Sequence, residues 1–148
     1  MRLLVQRVKR AKVTVSGIIS GEIGDGMLLF LGIGSDDTTA VCTKMAQKVS
    51  QLRIFEDADG KMNLDVKAIS GEILVVSQFT LYADTSRGNR PSFTTAMKPE
   101  SAKELYEYFT NELITIIGKD RVSNGVFGAM MEVELINDGP VTIWVDSC

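Results

Sequence analysis

The stretch Met27 to Ile33 (MLLFLGI) restricts the possible folds more than any other part of the chain. It is continuously apolar, of strand length, and preceded by the turn signal Gly24-Asp25-Gly26. A half-exposed strand would alternate with polar residues. One without alternation is central and covered on both faces. The next residues change period. Ser35-Asp36-Asp37 offer N-caps and N-terminal acids, and Val41, Cys42, Met45, Ala46, Val49 and Leu52 then recur on one helical face.

The remaining chain reads as strands around a second helix. Residues 2–9 and 12–16 predict two short strands, and Arg53-Ile54-Phe55 a short extended piece. Asp57-Ala58-Asp59-Gly60-Lys61 is a turn, because its glycine comes too early for a calcium loop and no bidentate glutamate follows. Residues 72–79 (EILVVSQF) predict a strong strand and 84–91 a polar loop. Pro99 suits a first helical turn. Ala102, Leu105, Tyr106, Phe109, Leu113, Ile116 and Ile117 form that helix's buried stripe, and Gly118 ends it. Met131, Val133 and Leu135 alternate with Glu132 and Glu134; Asn137-Asp138-Gly139-Pro140 breaks this strand, and 141–145 resumes it. The expected class is α+β: a single domain over residues 1–148, a largely antiparallel sheet, and two helices packed on one side.

The residue inventory narrows the chemistry. The chain has no histidine, so one chain cannot supply a Ser-His, Cys-His or His-metal mechanism. Its two cysteines, Cys42 and Cys148, form no metal-binding or redox spacing, and Cys42 reads as a small core residue. No metal and no cofactor is expected. The net charge of −3 argues against a broad nucleic-acid footprint, although five cations from Arg2 to Lys12 precede the first acid, Glu22. No apolar run approaches membrane-spanning length, and the first residues lack a signal-peptide core, so a cytoplasmic location is expected. Gly32-Ile33-Gly34 fails as a dinucleotide fingerprint, since its third glycine would fall at Asp37.

Two segments remain. Ser77-Gln78-Phe79-Thr80-Leu81 puts hydroxyls, an amide and backbone N–H groups at the end of an apolar strand, where they can line a site and face an oxyanion. Asn137-Asp138-Gly139-Pro140-Val141-Thr142 has the composition of a hairpin turn. By themselves these residues also fit a strand end with ordinary side-chain-to-backbone bonds and a plain hairpin turn.

Together, SQFTL and NDGPVT resemble the two signature motifs of the D-aminoacyl-tRNA deacylases. Val5-Gln6-Arg7-Val8, the stretch from Arg53 to Asn63, and Arg90-Pro91-Ser92-Phe93 match that family in order and spacing. Gly125 to Met131 keeps its glycine, aromatic and final methionine, with Met130 where a polar residue is expected. The resemblance implies a β/β/α-layered, barrel-like homodimer. It implies hydrolysis of the ester joining a D-amino acid to the 3′-terminal adenosine of tRNA, with release of mischarged glycine as well. A cis Gly139-Pro140 pair would enter the partner's pocket, read the substrate α-amino group and exclude L side chains, with Arg7 orienting it. Gln78, Phe79 and Thr80 would be catalytic. Ser77, Phe93 and Met131 would join Gly139, Pro140 and Arg7 in holding substrate. Neither membrane nor DNA is an expected partner. Arg2, Lys9 and Arg10 are the candidate phosphate contacts.

Overall fold

In the computed structural model, which describes residues 1–147, the run at 27–33 lies in the middle of a mixed sheet. Strand β3 (Gly26–Gly32) is flanked by β1 (Arg2–Val15) and β6 (Glu72–Ser77). β1 pairs antiparallel with β3 over its first half and with β2 (Ile18–Ile23) over its second. Its other edge carries β8 (Glu132–Asp146), also antiparallel. β6 runs parallel to both β3 and β7 (Val122–Asn124). The sheet then bends back on itself. The Ser123 hydroxyl donates to the Glu22 carbonyl at 3.2 Å, bringing β7 beside β2 and nearly closing a barrel. A separate hairpin, β4 (Phe55–Glu56) with β5 (Met62–Leu64), surrounds the turn at residues 57–61. There the Asp57 carboxylate accepts from the N–H groups of Asp59 and Lys61.

The two parallel pairings explain where the helices sit. Parallel neighbours need a crossover connection. Helix α1 (Thr39–Ser50) lies between β3 and β6, and α2 (Pro99–Ile117) between β6 and β7. Both pack on the same side of the sheet and against each other. The class is α+β with a barrel-shaped sheet and two main helices, as expected. The sequence reading misses several details. Residues 2–15 form one strand rather than two, because β1 only exchanges β3 for β2 as its partner. β8 likewise runs as one strand through Asn137–Pro140, although Asp138 to Val141 bulge out of its pairing with β1. The cap of α1 is Thr38, whose hydroxyl accepts from the Val41 N–H at 3.4 Å, since Asp37 is engaged elsewhere.

Alternate residues of the central strands fill two different interiors. Met27, Leu29 and Leu31 with Ile73 and Val75 pack toward the helices, against Cys42, Met45, Ala46 and Val49 of α1 and Phe109 and Leu113 of α2. Leu28, Leu74 and Val76 point into the barrel with Val8, Ala11, Val13 and Ile23. This is the double burial that the run at 27–33 predicts. At its first residue the strands touch closely: a Cβ on Gly26 would sit 1.9 Å from the Glu72 carbonyl oxygen. On the helix side the Tyr106 hydroxyl donates to the Val75 carbonyl at 2.9 Å, and burial pushes that phenol well above its ordinary range. Among the described residues no helix is long and apolar enough to cross a membrane.

Cys42 is fully buried on α1. Burial, reinforced by the Asp37 charge, pushes its thiol up to about 11. Cys148 lies outside the described residues. With Cys148→Ser removing the other thiol, native Cys42 is expected to alkylate at pH 8 at least ~100-fold more slowly than the same chain in urea, since the thiolate is the reacting form. Equal rates in native and denaturing buffer would contradict this burial.

Candidate active site

β6 carries the first signature segment to the rim of the sheet. The strand ends at Ser77, and the Gln78 N–H donates to the Leu31 carbonyl at 2.8 Å, making the last tie to β3. The chain then tightens into a 3₁₀ turn, Phe79–Tyr82, rather than extending through Phe79. The Leu81 N–H closes onto the Gln78 carbonyl at 3.2 Å. The N–H groups of Phe79 and Thr80 come before the first such bond, and neither reaches an acceptor among the described residues. Both residues are exposed. The Gln78 side-chain amide donates to the Thr80 hydroxyl. A carboxamide is not a base, so this contact gives the hydroxyl no route for losing its proton. Phe93 stacks edge-on against Phe79 with ring centroids 5.0 Å apart.

The turn rests on two glycines. A Cβ on Gly34 would lie 2.6 Å from the Tyr82 hydroxyl and 2.8 Å from its ring, and one on Gly32 would be 3.0 Å from Leu81 and 3.1 Å from the Gln78 carbonyl. The failed dinucleotide motif is therefore the floor under the turn. Asp37 fixes the outer end of the ring. Its carboxylate accepts from the Gly34 N–H at 2.7 Å, the Met1 α-ammonium at 2.5 Å and the Tyr82 hydroxyl at 3.5 Å. Burial first, then the Asp37 charge, pushes the Tyr82 phenol far up. Arg2 covers the other face. Its guanidinium sits 4.3 Å from the Tyr82 ring centroid, donates to the Leu81 carbonyl at 2.9 Å and pairs with Asp146.

The second segment is a protrusion from β8. Gln6 pairs with Thr142 and Val8 with Asn137, so Asp138 to Val141 stand opposite Arg7 alone and must leave the ladder. The Gly139-Pro140 bond is cis. Asn137 closes the neck, its amide donating to the Arg7 carbonyl at 3.0 Å and the Val141 carbonyl at 3.1 Å. Arg7, though charged, is buried. It donates to the Asp138 carbonyl at 3.1 Å and the Ile54 carbonyl at 2.6 Å, and its Nε lies 3.0 Å from the Asp138 carboxylate. Gly139 and Pro140 at the tip are exposed.

The structure brings Ser77, Gln78, Phe79, Thr80 and Phe93 together in one neighbourhood, and Arg7, Gly139 and Pro140 in another. Met131 packs beside the barrel interior. Among the described residues no hydrogen bond, ion pair or ring contact joins the two neighbourhoods. Arg2 holds the turn and Arg7 the protrusion, and the four residues of extended β1 between them put their Cα atoms about 17 Å apart. Sequence reasoning missed Tyr82, and missed the positioning roles of Gly34, Arg2 and Asn137. Of these, Gly32-Ile33-Gly34 did give a signal, in two glycines placed where a strand leaves the sheet. Among the described residues no group of three or more Cys, Asp or Glu is placed to hold a metal.

A family model described as D-Tyr-tRNA(Tyr) deacylase matches residues 4–146. The chain is 53% identical to a D-aminoacyl-tRNA deacylase of Akkermansia muciniphila and 56% identical to one of Koribacter versatilis, in each case over 99% of this chain and 97% of the relative. A solved structure titled c-Myc DNA Unwinding Element Binding Protein superimposes with a TM-score of 0.94 at 42% identity, covering 99% of this chain and 98% of its own. A probable eukaryotic D-amino acid tRNA deacylase superimposes at 0.85 with 17% identity over 97% of both chains, a likeness of fold.

Gly34→Ala tests the floor of the turn. The added methyl must displace the Tyr82 ring, at an expected cost of about 1–3 kcal/mol in urea unfolding. In a Tyr82→Ala background the same substitution should cost almost nothing. An equal cost in both backgrounds would show that Gly34 serves something other than the ring.

Proposed function

The chain belongs to the D-Tyr-tRNA(Tyr) deacylase family, and we propose that its turn and its protrusion are two halves of one catalytic site completed across a homodimer. The activity is D-aminoacyl-tRNA deacylation, a hydrolysis. In this reading residues 1–148 act as a single cytoplasmic deacylase domain without cofactor. Water attacks the carbonyl carbon of the ester at the 3′-terminal adenosine. The bond from that carbon to the ribose oxygen breaks, leaving a free D-amino acid and a tRNA hydroxyl. The Phe79 and Thr80 N–H groups, with the Gln78 amide beside them, receive the negative charge that develops on the carbonyl oxygen. Ser77, Phe93 and Met131 help hold the substrate end, and the vicinal 2′-hydroxyl assists the water. Such an ester is already activated, so positioning and charge stabilisation carry the rate without a histidine.

The observation that carries this reading is the pair of unengaged N–H groups at Phe79 and Thr80, exposed beside an amide and a hydroxyl. The dimer is supported by the separation along β1 and by the exposed tip of the protrusion. The Gly139-Pro140 carbonyls of one protomer then read the substrate α-amino group in its partner's turn site. Rigid main chain leaves no room for an L side chain there, whereas D side chains point outward unread, and glycine, lacking a side chain, is also released. Arg7 acts through position, by holding the Asp138 carbonyl that leads into the tip.

Parallel incubation with D-tyrosyl-tRNA and L-tyrosyl-tRNA tests the activity: the D ester should be lost selectively, and stable binding of both would point to an RNA-end-binding module instead. Full activity in a monomer at micromolar concentration would remove the shared site. Thr80→Val should lower the single-turnover rate by roughly five- to thirtyfold, the effect of losing one hydroxyl contact of about 1–2 kcal/mol. Near-complete loss with intact binding, or a trapped acyl-Thr80, would make Thr80 the nucleophile.

A further inference from the structure

The loop beyond the turn carries cations that have no acid partner among the described residues. The Asp84 N–H donates to the Ser92 carbonyl at 2.8 Å and the Ser92 N–H returns to the Asp84 carbonyl at 2.9 Å, closing residues 85–91 into an exposed loop. This loop starts three residues after Tyr82. Its far end is fixed to the site as well, because Phe93, next to the closing pair, is the residue that stacks on Phe79. Arg87 and Arg90 are its only charged residues. The acid nearest in sequence, Asp84, accepts from the Ser86 N–H at 2.9 Å, which holds that carboxyl below its usual range.

The cations expected to touch phosphate are differently placed. Arg2 is committed to Asp146, Leu81 and Tyr82, and Lys9 lies 3.4 Å from Asp138 and 3.8 Å from Asp25. Arg10 has no acid partner among the described residues, but it stands on β1 about 27 Å along the strand from Arg2. Arg87 and Arg90 likewise have no acid partner among the described residues, and they are anchored beside the turn. The Cα of Arg90 is within about 11 Å of that of Phe93, three residues away. A planar guanidinium with no acid to satisfy matches a phosphodiester in a bidentate manner.

We infer that Arg87 and Arg90 form a phosphate clamp for the single-stranded RNA end, gripping the nucleotides just inward of the scissile ester. The inference rests on the deacylase reading and adds to it the surface that recognises the nucleic acid. The clamp explains how a chain of net charge −3 holds a polyanion: two uncompensated charges act locally at the site.

The test compares the wild-type chain with Arg87→Ala/Arg90→Ala and Arg87→Lys/Arg90→Lys on two substrates. D-tyrosyl-tRNA carries the ester and the phosphates; D-tyrosyl-adenosine carries the ester without internucleotide phosphates. For the alanine pair, KM on the tRNA is expected to rise tenfold or more with kcat unchanged. The slope of log kcat/KM against log salt should become shallower by about 1.4, two single-strand contacts' worth. Hydrolysis of D-tyrosyl-adenosine should be unchanged, and the lysine pair should recover most of the salt slope and part of the KM. Unchanged KM and salt slope on the tRNA would overturn the clamp, as would an equal loss on both substrates, which would mean that the loop merely supports the turn. A wild-type chain that hydrolyses neither ester would overturn the deacylase reading itself, an outcome distinct from failure of the clamp alone.

Discussion

Both edges of β1 are hydrogen-bonded along most of its length, and this double ladder holds the rest of the molecule in place. Three strands take their register from it. The same strand also supplies the two cations that shape the functional segments. Arg2 reaches from its start to the turn after β6, and Arg7 reaches from its middle to the protrusion of β8. Both arginines act by donating to main-chain carbonyls. The two segments are therefore positioned by backbone geometry anchored to one rigid element, the kind of support that a site built on main-chain atoms needs.

Arg7 shows what that support involves. A buried guanidinium left without acceptors would be costly. Here its donors meet two carbonyls and a carboxylate, and its own carbonyl, facing the displaced residues of β8, is taken by Asn137. The protrusion exists because four residues oppose one. It keeps a defined shape because polar groups at its neck are matched by groups from β1.

Much of this was legible in the sequence, where local pattern and tertiary burial agree. The run at 27–33 announced a doubly covered strand, and its residues do divide between two interiors. Pro99 and Gly118 marked the ends of α2. What failed depended on partners remote in sequence. Residues 10 and 11 read as a break between two strands, yet β8 continues opposite them. Asp37 looked like a helix cap, but the Met1 ammonium, the Gly34 N–H and Tyr82 claim it. The signature segments were recognisable as motifs. That they lie apart within one chain, at different points along β1, is a property of the strand pairings and cannot be read from spacing.

The division of β3 and β6 between two interiors bears on how the alignment of these strands is chosen. In a sheet with one wet face, a slip by one residue would carry apolar side chains into water, and that penalty fixes the pairing. Here both faces are apolar, so a slipped β3 would exchange one greasy interior for another. Polarity offers little discrimination between the two alignments, and shape must supply it. Gly26 abuts the Glu72 carbonyl and Gly32 abuts the turn, leaving no room for a side chain at either end. A slip would bring Met27 or Leu31 into one of those gaps. The two glycines thus serve as indexing pins, and the reading frame of the central strands is set by where a side chain cannot go.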